Sequence, residues 1–187
     1  MSQQLVLLQA LSLVLEGLRK ELVPVVLQQA DELQLAYPGD STEGRLFLTC
    51  YDVADTRPFG VPRPIPQGPT LQQAPNRYLA LRFLLYANRK RPFGGLEAVD
   101  ELVLLEGAVR AAHSMGPLEL EGEPLRLQLE SPPTSEKTAL WQSMGQPIQP
   151  ALYLMLEAIP VPSSRVTQIA PVKELYLHLK GKGGTSP

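Results

Sequence analysis

At 187 residues, with 44% hydrophobic and 19% charged side chains, the chain has the size and composition of one globular domain with an ordinary core and room for a tail. A formal net charge of -2 argues against a broad nucleic-acid-binding face, which needs an excess of Lys and Arg, and leaves only a local basic patch open. The single cysteine, Cys50, excludes an internal disulfide; it lies in an apolar run and reads as a small core residue.

Leu7, Leu8, Leu11, Val14, Leu15, Leu18 and Leu22 fall on one face at 3.6 residues per turn, which predicts an amphipathic helix over about 3–22, stopped near Pro24. Val6 and Leu13 lie at its edge. Glu16, Arg19, Lys20 and Glu21 interrupt the leucines, so the stretch reads as neither signal peptide nor membrane span. A short strand follows near Leu33–Tyr37, then a turn in "YPGDSTEG" and a buried strand in "RLFLTCYDV" (45–53). From Asp55 to Pro75 six prolines and the lack of any periodicity predict an exposed, extended loop that stays out of sheets. Phe59 and Arg63 are its candidate contact residues, an apolar anchor and a charged hydrogen-bonding group.

"RYLALRFLLYANRK" (77–90) alternates Leu79, Leu81, Phe83 and Leu85 against Tyr78, Ala80, Arg82 and Tyr86, a long and mostly buried strand. It ends in the main basic cluster, Arg89-Lys90-Arg91, where Arg89 and Arg91 are candidates for a charged contact. A second helix is expected over 95–113 with Leu96, Val99, Leu102, Val103 and Val109 on its packed face. "LELEGEPLRLQLE" alternates about Glu121-Gly122 and predicts a hairpin with Leu125, Leu127 and Leu129 toward the core. A short helix from Thr134 to Met144 carries the sole tryptophan, Trp141; Pro147 and Pro150 stiffen the joint to a strand that Pro160 and Pro162 should stop. A proline-containing linker over 160–171 leads to "VKELYLHLK", a last strand whose Leu175, Leu177 and Leu179 alternate with Tyr176 and His178, and then to a terminus rich in glycine. Leu175, Tyr176, Leu177 and Leu179 are candidate interface residues, for addition of this strand to the sheet of a neighbouring chain; the alternative is that it folds back as an edge strand of its own sheet.

No cluster of these residues carries recognisable chemistry. His113 and His178 lack neighbours at metal-ligand spacing, and no nucleophile elbow, phosphate loop or dinucleotide turn occurs. Asp100 and Glu101 early in a helix suit the helix dipole, and Asp52 and Asp55 suit a turn. No catalytic, cofactor or metal site is expected, and the chain is not expected to be an enzyme.

Three motifs in order carry a resemblance: Tyr51-Asp52-Val53 ending a strand, Leu81-Arg82-Phe83 at the centre of another, and Leu140-Trp141 with Gly145, Pro147 and Pro150 before a third. Over about residues 3–160 the chain resembles the cap, or tail-terminator, family of contractile injection systems, phage-tail-like particles. The resemblance implies a structural cap: a homohexameric ring that terminates the inner tube and the sheath and joins them. Its partners would be further copies of itself, the tube protein and the sheath protein, with no nucleic acid, no membrane span and no cofactor. Assembly would be cytoplasmic, into a particle that is released or anchored. From Val161 onward nothing carries over. The expected fold is α+β, a mixed, mainly antiparallel sheet with two long helices and one short one over 1–160, followed by linker, strand and terminus over 161–187. Two other readings compete: a monomeric adaptor that binds a partner through loop 55–75, and a hydrolase of unfamiliar type that uses Asp52 and Asp55.

Overall fold

A computed structural model describes residues 5–40, 43–61, 63–68, 70–89 and 97–168. They fall into two compact units, one from the described residues of Met1–Val61 and Arg77–Val161, the other from those of Pro62–Asn76 and Pro162–Pro187.

The first unit is α+β. Helix α1 (Val6–Leu22) leads into strand β1 (Leu33–Leu35), and β1 lies parallel to β2 (Leu46–Thr56). After the two short strands of the second unit, β3 (Ile65–Pro66) and β4 (Leu71–Gln73), come β5 (Arg77–Ala87), α2 (Glu97–Ser114), the hairpin β6 (Leu118–Leu120) and β7 (Glu123–Glu130), α3 (Thr134–Ser143) and β8 (Ala151–Val161). The sheet order is β1-β2-β5-β8-β7-β6, and every pairing except β1 with β2 is antiparallel. The hairpin turns where the alternation breaks: Glu121 and Gly122 both take positive φ, 54° and 81°, as a two-residue turn with the twist of its strands requires.

Strand alternation sorts the side chains into two cores. Leu46 and Leu48 of β2, Leu81, Phe83 and Leu85 of β5, and Leu154 and Leu156 of β8 pack with Val14, Leu18 and Leu22 of α1 and Leu104 and Ala108 of α2. The intervening residues Phe47, Leu84, Tyr86 and Tyr153 pack with Trp141 of α3. The two long helices therefore cover one face of the sheet and the short helix the other. At the end of α1, the Arg19 guanidinium donates twice to the Leu33 carbonyl, at 3.1 and 2.7 Å, and ties the helix to β1.

Several expectations need correction. On α2, Val99, Leu102 and Val103 are exposed, Leu102 at 61%, whereas Glu101, Leu104, Leu105, Ala108 and Ala111 are buried. Both stripes have helical spacing; the sheet is covered by the one whose small residues, Gly107, Ala108 and Ala111, let the backbone come close. Leu8 on α1 and Leu129 on β7 are also exposed. Strand β8 passes through Pro160, which pairs with Tyr78, and ends at Val161. One more irregularity serves β8. Ala158 takes φ 63° where the register between Leu79 and Leu81 slips, a bulge that sequence periodicity cannot show.

The proline-rich segment does pair. In the second unit β3, β4 and β9 (Val166–Gln168) form an antiparallel three-stranded sheet with β4 in the middle. The central strand, Leu71-Gln72-Gln73, contains no proline, and Pro66 ends an edge strand, so a missing N–H is tolerated there. Beside it the Gln73 side-chain amide donates to the Ser163 carbonyl. The linker expected over 160–171 therefore supplies strand residues at both its start and its middle.

Close approach on the helical face gives a contrast that can be measured. A Cβ on Gly107 would meet Val26 Cγ2 at 2.4 Å and Cγ1 at 3.1 Å; one on Gly17 would meet the Met115 Cε at 2.4 Å. A valine cannot swing both methyls away, but a thioether end can. Gly107→Ala should destabilise by about 1–2 kcal/mol even after its gain in helix propensity. Gly17→Ala should be neutral or stabilising by up to about 1 kcal/mol. Urea unfolding of both variants checks this, and equal effects would show that Val26 yields.

Candidate functional site

Beyond Thr56, β2 leaves the sheet through Arg57-Pro58-Phe59-Gly60-Val61. Phe59 is 50% exposed, and the Arg126 guanidinium of β7 sits 4.8 Å from its ring centroid. A cation over an aromatic face at an exposed site contributes about 0.5–1 kcal/mol, enough to bias where the ring points. Phe59 is thus an exposed aromatic with a partner that orders it, and Val61 beside it is almost fully exposed.

The first two sequence motifs meet at an ion pair. Along β2, Leu46, Leu48 and Cys50 face the long helices. A bulge between Cys50 and Asp52 inserts Tyr51, after which the ladder resumes with Asp52 opposite Arg82. Strict alternation would send Asp52 toward the leucines; the extra residue returns it to the α3 side. There Arg82 Nη1 lies 3.2 Å from Asp52 Oδ2, and Arg82 Nε lies 3.4 Å from Glu130 Oε2 on β7. Tyr51, Arg82, Glu130, Lys137 and Tyr153 line a cleft of about 320 Å3 between sheet and α3. Burial, reinforced by the Glu130 charge, pushes the Tyr51 hydroxyl up to about 12. Asp55 pairs with Arg77 at 3.5 Å on the surface, so each of the two acids has its own arginine.

The third motif is a braced joint. Trp141 is 1% exposed; its Nε1–H donates to the Tyr153 hydroxyl at 3.2 Å and its ring meets Tyr86 edge-on at 5.6 Å. Tyr86 meets Phe47 in the same way and donates its hydroxyl to the Ala36 carbonyl at 3.2 Å, an oxygen that also accepts from Thr49. Past Trp141 the helix closes on Gly145 at φ 67°. Gln146 N–H returns to the Trp141 carbonyl at 3.1 Å and Gly145 N–H to that of Gln142 at 2.9 Å, the paired bonds of a Schellman end. Pro147 and Pro150 then fix the lead into β8.

Of the other candidate residues, Arg89 is engaged within the chain. Its Nε and Nη2 donate to the two Glu101 oxygens at 3.2 and 3.0 Å, and the Glu101 side chain is only 8% exposed. The fork ties the end of β5 to α2 and explains why a glutamate sits on the buried stripe. Arg89→Met should cost about 1–2 kcal/mol, because it strands a nearly buried carboxylate while half of the guanidinium was already in water. Pairing the change with Glu101→Gln should recover part of that loss in a thermal melt; additive losses would mean the two do not interact. Arg63 is exposed in the second unit. Arg91, Leu175, Tyr176, Leu177, Leu179 and His178 lie outside the described residues.

His113 is exposed at the end of α2, where a cation suits the helix terminus. Cys50 is half-buried against the larger core with its thiol 3.7 Å from the Asp52 carbonyl, and burial pushes its pKa up. Among the described residues no group of His, Cys, Asp and Glu could hold a metal ion, and no helix is long and apolar enough to cross a membrane. Sequence reasoning missed Arg126, Glu130 and Tyr153, whose parts appear only once β7 and β8 are paired; for Tyr153 and Trp141 the shared burial was the available signal.

Residues 6–174 match a family model described as the Pvc16 N-terminal domain. Two solved structures share the architecture at 14% sequence identity. One is the sheath/tube terminator of PVC, an extracellular contractile injection system, in its extended state, with a TM-score of 0.63 over 100% of this chain and 66% of that one. The other is the tube-terminating cap of the anti-feeding prophage, with a TM-score of 0.57 over 94% of this chain and 61% of that one. The chain thus spans just under two thirds of the length of each. Among curated proteins none matches.

Proposed function

Because the chain belongs to the family of the Pvc16 N-terminal domain, we propose that it is a structural cap, a subunit of a homohexameric ring that terminates the inner tube and sheath of a contractile injection particle and joins them. One observation carries this reading: the family match spans nearly the whole chain, and the same architecture is found in two proteins that end such tubes. The physical design agrees with a part that holds angles rather than one that turns over substrate. Arg82 pairs with Asp52 and Glu130, and Arg77 with Asp55, across neighbouring strands, and a closed ring multiplies any angular error of its subunit by the number of copies. In this reading assembly is cytoplasmic, whether the particle is then released or anchored.

Particles assembled with and without the chain test the proposal. Without it, tubes and sheaths should vary in length and lack a terminal ring; with it, native mass spectrometry should give six copies. Particles of normal length and unchanged ends in its absence would overturn the reading.

Phe59 and Arg63 are the proposed contact residues of the proline-rich segment. Since Ile65 and Pro66 are strand residues, substitution is a cleaner test than deletion. Phe59→Ala with Arg63→Ala should leave the melting temperature within about 2 °C, as surface changes do. Capped particles should fall by about tenfold, the loss of one anchor of roughly 1.4 kcal/mol. Capped particles in normal number would show that the segment only spans a distance.

A further inference from the structure

The small sheet of the second unit exposes apolar side chains on one face. In its ladder Ile65 and Val166 flank Gln73 in one row, and Leu71 pairs with Gln168 in the next. Cross-strand partners, and residues two apart on one strand, share a face. Ile65, Leu71 and Val166 therefore lie on the same side, and all three are exposed. Strands of two and three residues do not hold together in water without a packed apolar face. Gln73 and Gln168 share that face, and among the described residues of this unit only Arg63 and Arg165 are charged, so the unit's charge is purely basic.

The first unit carries the complementary surface. Between α1 and the β6–β7 hairpin runs an open groove of about 460 Å3. Leu5 and Leu8, exposed at 71% and 58%, with Leu13 and Leu120 supply its apolar lining; Glu16, Glu119 and Glu121 supply its charge, and no lysine or arginine lines it.

We propose that these two surfaces join neighbouring copies, the Ile65/Leu71/Val166 face of one chain seating on the Leu5/Leu8/Leu120 groove of the next. The inference deepens the ring reading and rests on it. A contact between two different patches of the same chain is heterologous, so it propagates head to tail and closes when the rotation per subunit divides a full turn. The leucines and branched side chains exclude water from the centre, and Arg63 and Arg165 meet Glu16, Glu119 and Glu121 at the border, where charge sets register and on-rate.

The full chain with Cys50→Ala as background tests this by cross-linking. Leu8→Cys and Val166→Cys, made as separate proteins, should give a disulfide-linked dimer when mixed and oxidised; the double variant should give a ladder. A double variant that cross-links only within the monomer would overturn the proposal. A second arm does not depend on disulfide geometry. Glu119→Arg with Glu121→Arg should weaken self-association about tenfold by analytical ultracentrifugation, as should Arg63→Glu with Arg165→Glu, and combining all four should restore most of it. No rescue by the combination would also overturn it. A ring seen by native mass spectrometry without cross-link or rescue would show that these surfaces are wrong and the ring is right; absence of a ring in every state would sink both.

Discussion

Replacing Trp141 by alanine should lower the stability of the chain by about 3–5 kcal/mol. The side chain is the sole tryptophan, is 1% exposed, and fills the layer between α3 and the sheet. Removing it loses apolar burial, empties a cavity that the rigid Gly145–Pro150 joint cannot close by moving α3 inward, and leaves the Tyr153 hydroxyl without its donor. Trp141→Phe should cost less, about 1–3 kcal/mol, since most of the volume stays. A urea titration followed by circular dichroism measures both. A loss under about 1 kcal/mol for alanine would mean that α3 contributes little to the fold.

The same cluster makes the chain alkali-sensitive. Burial pushes the Tyr86 hydroxyl up to about 12, whereas in the unfolded chain it titrates near its ordinary value of 10.0. For an acid whose folded pKa is raised, the unfolded state loses its proton first. Below pH 10 the group contributes no pH dependence; between pH 10 and about 12 the folded state is progressively disfavoured, by about 2–3 kcal/mol at the top of that window. The fully folded form keeps the proton that Tyr86 donates to the Ala36 carbonyl. Tyr86→Phe should cost about 1 kcal/mol at pH 7 for the lost hydrogen bond, yet fall less steeply than the parent above pH 10. Every other ionisable group is common to both proteins, so the difference between the two curves isolates the tyrosine. Parallel curves from pH 9 to 11.5 would refute the assignment.

Period and polarity made most of the larger unit legible. Helix α1, the long strands β2, β5 and β8, the Glu121-Gly122 turn and the third helix all follow from spacing, because each buries one face against a layer with the same period. What was hidden has one physical cause: residues whose environment is set by another element. Two stripes on α2 had helical spacing, and the one that packs carries the small residues Gly107, Ala108 and Ala111, with Val26 close against Gly107. The slip at Tyr51 and the left-handed Ala158 depend on how β2 and β8 fit β5, and no local pattern records a register. Strand β9 was invisible because its partner β4 lies almost a hundred positions earlier, and the three residues Val166-Thr167-Gln168 are too few to show a period. The motif residues Asp52 and Arg82 were visible as letters, but their union as an ion pair required the bulge.

The short reach of β1 has a consequence for how the molecule keeps to itself. It pairs with β2 only over Leu46–Leu48, although β2 continues to Thr56. Among the described residues no strand lies on the far side of the remaining stretch. A straight edge of that length, with its amides and carbonyls turned outward, is a template onto which any extended chain can crystallise, its own copies included. Here the edge is spoiled twice over. The extra residue at Tyr51 twists the strand out of line, and Asp52 and Asp55 set carboxylates along it that a like strand would have to confront. Removing the kink and the charges together, rather than either alone, is what would let copies of the chain add edge to edge.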